Sequence, residues 1–132
     1  MNPLMADNHE ELWLLPVKSQ EFMQGPQLLQ TLCELKLRFD YELPDGKYAW
    51  SALIFKGVEA FEFTGHSSCT RHQVRAYDRL VLVLDSNWLS RRAPDRGGLK
   101  HYRIYFDEVG CYDVAATMFE PRDDSSAPTT LP

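Results

Sequence analysis

From Thr31 to Leu43 every odd position is apolar or Thr, and every even position from Glu34 to Glu42 is charged. Cys33, Leu35, Leu37, Phe39, Tyr41 and Leu43 therefore lie on one side of an extended chain, with Glu34, Lys36, Arg38, Asp40 and Glu42 on the other. Only a strand with one buried face satisfies a period of two. Such a face must be covered: the sheet closes on itself, takes a helix, or pairs with a second copy of the chain.

The rest of the chain reads as further strands around this one. Pro44-Asp45-Gly46 supplies turn residues, and a four-residue loop, Pro44 to Lys47, sets Leu43 opposite Tyr48, Tyr41 opposite Trp50, Phe39 opposite Ala52 and Leu37 opposite Ile54. In that register Tyr41, Tyr48 and Trp50 share a concave aromatic face. Lys56-Gly57 marks a bulge or bend, Val58 to Thr64 resumes the strand, and Gly65 to Arg71 is a loop. Leu80 to Leu84 is an unbroken apolar run suited to a central strand, although Val74, Tyr77, Val81 and Leu84 also fit a helical stripe. Ser86 can cap a short turn through Asn87, Trp88 and Leu89, and Arg91 to Gly98 is a connection.

Toward the carboxyl end, residues 101–106 and 112–117 alternate as a hairpin around Asp107-Glu108-Val109-Gly110. A type I turn there, with Gly110 in the left-handed position, sets Phe106 opposite Tyr112, Ile104 opposite Val114 and Tyr105 opposite Asp113. At the amino end Leu12 to Lys18 is a short edge strand interrupted by Pro16, and Gln20 to Gln30 is a connection with one helical turn.

These elements predict a mainly β domain over residues 1–120 and a disordered tail, rich in Pro, Ser, Thr and Asp, over 121–132. The expected architecture is a single antiparallel sheet of about six strands, curled into a half-barrel or open sandwich with one or two short helices. An α+β fold is the alternative if residues 74–84 are helical. A chain of 132 residues can bury one core without disulfides or a structural metal. Three cysteines at irregular spacing fit free thiols in a reducing cytoplasm. The acidic amino end and its six-residue apolar run, Leu12 to Val17, make neither a secretory signal nor a membrane span.

Net charge is −5, unevenly placed: residues 71–103 carry eight basic and three acidic side chains, and the segments on either side are acidic. A nucleic-acid track wants a basic total as well as a basic patch, so this dipolar arrangement points instead to an oriented, acidic protein partner or to self-association. Trp88 amid Arg91, Arg92, Arg96 and Lys100 is an apolar anchor within positive charge, the composition of an interface centre.

His66-x-x-Cys69-x-x-His72 is the one spacing with metal-binding content, with His101 or Cys111 as a fourth ligand, but it matches none of the common zinc patterns. Cys69 beside His72 is the one candidate thiol nucleophile. In the hairpin register above, Cys111 faces Asp107, about 20 Å along the strand from His101, and Cys33 lies on the core face. Asp107 and Glu108 are turn residues, and no phosphate-binding loop, dinucleotide fingerprint or G-x-S-x-G elbow occurs. No cofactor and no catalytic residue is therefore expected.

Tyr77-Asp78-Arg79-Leu80, Ser86-Asn87-Trp88-Leu89 and the hairpin from His101 to Ala115 together resemble segments of a set of small uncharacterised bacterial proteins, over residues 77–120. The resemblance implies no known activity; some bacterial domains of this size and charge are immunity proteins that mask a toxin. The reading that follows is a non-enzymatic interaction module, immunity-like, presenting its arginine and aromatic face to an acidic partner. The alternatives are a small-molecule binder using Tyr41, Tyr48 and Trp50 as its pocket, or a zinc-binding protein.

Overall fold

The structure, a computed structural model, describes residues 8–93 and 97–124. In chain order its strands are β1 (His9–Leu14), β2 (Gln24–Gln30), β3 (Glu34–Glu42), β4 (Tyr48–Lys56), β5 (Ala60–Gly65), β6 (Arg79–Val83), β7 (Lys100–Phe106), β8 (Gly110–Ala116) and β9 (Met118–Asp123). Two short helices, α1 (Arg71–Val74) and α2 (Asn87–Arg92), flank β6, and 3₁₀ turns occupy Ser19–Glu21 and His66–Ser68. No described helix is long and apolar enough to cross a membrane.

The strands form two antiparallel sheets, ordered β1-β6-β7-β8-β5 and β2-β3-β4-β9, in place of the single sheet expected. The division falls at Gly57, whose φ of +66° lets the chain leave β4's sheet so that β5 pairs with β8 in the other. Leu35, Leu37, Leu53 and Phe55 of the four-stranded sheet then pack against Leu80, Tyr102, Ile104, Phe106, Tyr112, Val114 and Ala116 of the five-stranded one. The alternating face of β3 is thus covered by a second sheet, the arrangement of a sandwich whose inner faces interdigitate. Phe22 stacks on Phe39 at 4.4 Å and closes one end of this interior.

The β3–β4 register departs from expectation by one residue. Gly46, at φ +86°, closes a three-residue loop in which its N–H donates to Leu43 O at 2.8 Å and Leu43 N–H donates to Lys47 O at 2.7 Å. Leu37 therefore pairs with Leu53, Phe39 with Ser51, Tyr41 with Ala49 and Asp40 with Trp50. A slip of one exchanges the faces of the whole strand. Tyr48 and Trp50 lie on the outer face, opposite the side that carries Tyr41, so the three do not share a pocket. Arg38 covers the Trp50 ring at 4.4 Å.

Two strands lie where the sequence reading has none: β2 falls within the connection Gln20 to Gln30, and β9 runs from the last residues of the expected domain into the first of the expected tail. Both contain proline, Pro26 and Pro121, and both are edge strands, where a missing N–H disturbs no ladder on the open side. The tail expected from 121 therefore begins inside β9, and residues 125–132 lie outside the described residues. Residues 79–83 are a strand between β1 and β7, and β1 is an edge strand that ends before Pro16. Cys33, expected in the core, is exposed one residue before β3 begins.

Candidate functional site: a polar cleft on the outer face of the five-stranded sheet

The β7–β8 hairpin sends even-numbered side chains inward and odd-numbered ones outward. Its turn starts at Phe106, whose carbonyl accepts from Val109 N–H at 3.1 Å, one residue earlier than expected, and Glu108 takes the left-handed position at φ +58°. Every pairing moves by two: Phe106 faces Gly110, Tyr105 faces Cys111, Ile104 faces Tyr112 and Arg103 faces Asp113. The inward and outward faces keep their residues, but Asp113 now meets Arg103 and not Tyr105. Gly110, at φ +140°, lies against β5, where a Cβ would stand 2.1 Å from the Thr64 carbonyl oxygen.

Asp113 is only 3% exposed and is the hub of the outer face. Its Oδ1 accepts from His101 Nε2 at 2.6 Å and from Arg103 Nε at 2.7 Å, while Oδ2 accepts from Gln73 Nε2 at 3.1 Å. The Cys111 thiol is 3.7 Å from Oδ2. Burial alone pushes the Asp113 carboxyl up. The hydrogen bond and charge of His101, with those of Arg103, outweigh burial and hold it below its ordinary value. The carboxylate is therefore ionised and can only accept, which puts a proton on His101 Nε2.

Both helices are tied to this hub by their caps. Thr70 and Gln73 form a reciprocal capping box on α1, and the Gln73 amide that completes it also donates to Thr64 Oγ1 and Asp113. Ser86 caps α2 by accepting from Leu89 N–H at 2.9 Å, and its Oγ lies 2.6 Å from His101 Nδ1. The cap expected at Ser86 is present; the link to His101 was not foreseen. On α2, the Trp88 ring lies 4.5 Å from the His101 ring at 30°, and its Nε1 donates to Glu62 at 2.9 Å. Arg92 pairs with the same Glu62 oxygen at 2.6 Å and sits over the indole. These two donors hold the Glu62 carboxyl below its usual range.

Between α1, α2 and β5 is a cleft of about 470 Å³, floored by Val83, His101, Arg103 and Asp113. Its walls include Glu62, Asp85, Trp88 and Arg91. Asp85 has a left-handed backbone, φ +52°. Arg91 is exposed and makes no ion pair among the described residues.

The structure divides the expected interface. Trp88, Arg91 and Arg92 gather on α2, although Trp88 and Arg92 are engaged by Glu62. Lys100 is exposed at the start of β7, and Arg96 lies outside the described residues. His66, Cys69 and His72 do not converge. Cys69 donates to the Thr64 and Gly65 carbonyls at 3.4 Å, His66 is exposed, and His72 lines the cleft. Among the described residues no group of three or more His, Cys, Asp or Glu is placed to hold a metal ion. Burial pushes the Cys69 and Cys111 thiols up, against nucleophilic use. Asp107 accepts from the Tyr77 hydroxyl at 2.7 Å, which raises that hydroxyl's pKa to about 12. Tyr41 lines a separate groove with Pro16, Met23 and Leu43, without Tyr48 or Trp50.

The cluster of Ser86, His101, Arg103 and Asp113 was not foreseen. Its signal was present: His101, Arg103 and Asp113 are the polar outward positions of an otherwise apolar hairpin. The expected register put Cys111 far from His101, whereas both now touch one carboxylate. Two of the segments on which the resemblance rests, Ser86 to Leu89 and the His101 hairpin, meet at this cluster. No family model, no curated protein and no solved structure matches the chain.

Proposed function

We propose that the protein is an interaction module that takes an acidic side chain of a partner protein into the cleft over His101, with Arg91 as the cation that meets it. The observation that carries this reading is the cleft's floor. Burying Asp113, Arg103 and His101 together gives no stability that packed apolar side chains would not give. What a floor of His101, Arg103 and Asp113 tied by mutual hydrogen bonds does provide is fixed polar groups at the bottom of a cavity, and fixed polar groups give specificity. Arg91 on the wall adds a charge that speeds encounter with an acidic surface and loses reach as salt screens it.

A small-molecule ligand is the second reading, favoured by the volume, which lies within the range of about 300–1,000 Å³ usual for ligand sites. Its place is this cleft and not the Tyr41, Tyr48 and Trp50 face. Both readings are tested by ¹⁵N chemical-shift mapping with acetyl-tetraglutamate amide and acetyl-tetralysine amide as probes. The acidic peptide should move the Trp88 indole, Ser86 and Arg91 signals, less at high salt and less in Arg91→Glu. Equal shifts from the basic peptide, or shifts confined to another face, would contradict the acidic-partner reading.

A further inference from the structure

The cleft holds one hydroxyl whose surroundings do more than cap a helix. Asp113 accepts from His101 Nε2 at 2.6 Å, so in the singly protonated form of the ring the opposite nitrogen, Nδ1, is the bare one, and it faces Ser86 Oγ at 2.6 Å. The Ser86 hydroxyl accordingly donates to Nδ1. Its oxygen accepts from Leu89 N–H at 2.9 Å, which uses one of two lone pairs and leaves the second free. Ser86 lines the cleft, whereas His101 is 1% exposed and held between the Trp88 ring and Asp113. This is the proton inventory of an activated serine: a hydroxyl on a bare imidazole nitrogen, and the other nitrogen's proton on a carboxylate that stays ionised. The two ring nitrogens exchange the places they have in the serine protease arrangement. The chemistry needs only one bare nitrogen toward the hydroxyl and one N–H toward the acid.

We propose that Ser86 is a nucleophile and His101 its general base, so that the cleft transfers the acyl group of an ester to Ser86 and releases it to water. Ser86 Oγ attacks the carbonyl carbon as its proton passes to His101 Nδ1. The tetrahedral intermediate collapses, the ester C–O bond breaks, and the leaving alcohol takes that proton. Water then attacks the acyl-serine and gives a proton to Nδ1. The Oγ–C bond breaks and Ser86 recovers its proton from Nδ1, for a net reaction of ester and water to acid and alcohol. Asp113 and Arg103 are positioning residues. The Asn87 amide and the Arg91 guanidinium line the same cleft and are donors of the kind that stabilise a developing oxyanion.

This inference rests on the cleft admitting a ligand, and its test separates the two claims. The full chain is treated with an alkyl fluorophosphonate and digested, and hydrolysis of p-nitrophenyl acetate is followed in parallel. Ser86→Ala removes both hydroxyl and cap; Ser86→Asn removes the hydroxyl but keeps a capping acceptor, so folding is preserved. The expected result is a phosphonyl adduct on Ser86 and ester hydrolysis that falls about a hundredfold or more in Ser86→Asn, the scale of general-base contributions. No adduct on Ser86, or hydrolysis unchanged in Ser86→Asn, overturns the nucleophile. If the acidic peptide still moves the Trp88 and Arg91 signals in that case, the binding reading stands without it.

Discussion

The two faces of the β7–β8 hairpin are both buried, and they are buried by opposite means. Inward, Tyr102, Ile104, Phe106, Tyr112 and Val114 meet the second sheet in an apolar interior. Outward, His101, Arg103 and Asp113 are nearly as inaccessible, yet each is held by hydrogen bonds and ion pairs beneath two short helices. The inner face derives its stability from area removed from water. The outer face is held by mutual satisfaction among groups that water would solvate well, so it contributes position more than stability. A protein that needed only a fold would have gained as much from an apolar layer there.

The comparison breaks first on the inner face. Phe106→Ala should lower unfolding free energy by about 3–5 kcal/mol, the cost of removing a buried aromatic side chain and leaving a cavity. Urea denaturation measures it, and a loss under about 1 kcal/mol would mean that the sheets are not packed as described. Gly110→Val joins both faces, because it tests the close approach of β8 to β5. Positive φ alone costs about 1–3 kcal/mol, and the Thr64 carbonyl must also move. Unchanged thermal stability would count against that approach.

The third prediction sharpens the outer face through pH. Asp113 has its folded pKa depressed, so the stability it contributes is fully present above its unfolded value of about 3.9 and is lost as pH falls below that toward the folded value. Asp113→Asn should therefore flatten the acid limb of the stability profile below about pH 4, the unfolded aspartate range, whereas Phe106→Ala should shift the profile without changing its slope. Parallel acid limbs for parent and Asp113→Asn would show that the carboxylate is not held as described.

How much of this was legible in the sequence follows the same division. The inner face was readable because apolar periodicity survives small errors: β3's alternation, and the parity of β7 and β8, do not depend on the turn. Partner identity does depend on it. A hairpin turn that begins one residue early moved Asp113 from Tyr105 to Arg103, and a loop shorter by one residue turned Trp50 away from Tyr41. The cluster was hidden by that offset, since charged residues in a strand read as solvent-facing unless their cross-strand partners are known. The edge strands β2 and β9 were hidden by proline, which reads as a breaker until the strand's place in the sheet is known.

The measurement that bears most directly on the contrast is the urea midpoint of a triple variant, His101→Leu, Arg103→Met and Asp113→Val, set beside Asp113→Ala. Removing Asp113 alone takes the shared carboxylate from two buried donors, His101 and Arg103, and should cost about 3–5 kcal/mol. If the outer network serves recognition, replacing all three members should restore stability to within about 1 kcal/mol of the parent or exceed it, as apolar replacements of buried ion pairs do. A triple variant as unstable as Asp113→Ala would contradict this and make the network part of what holds the fold together.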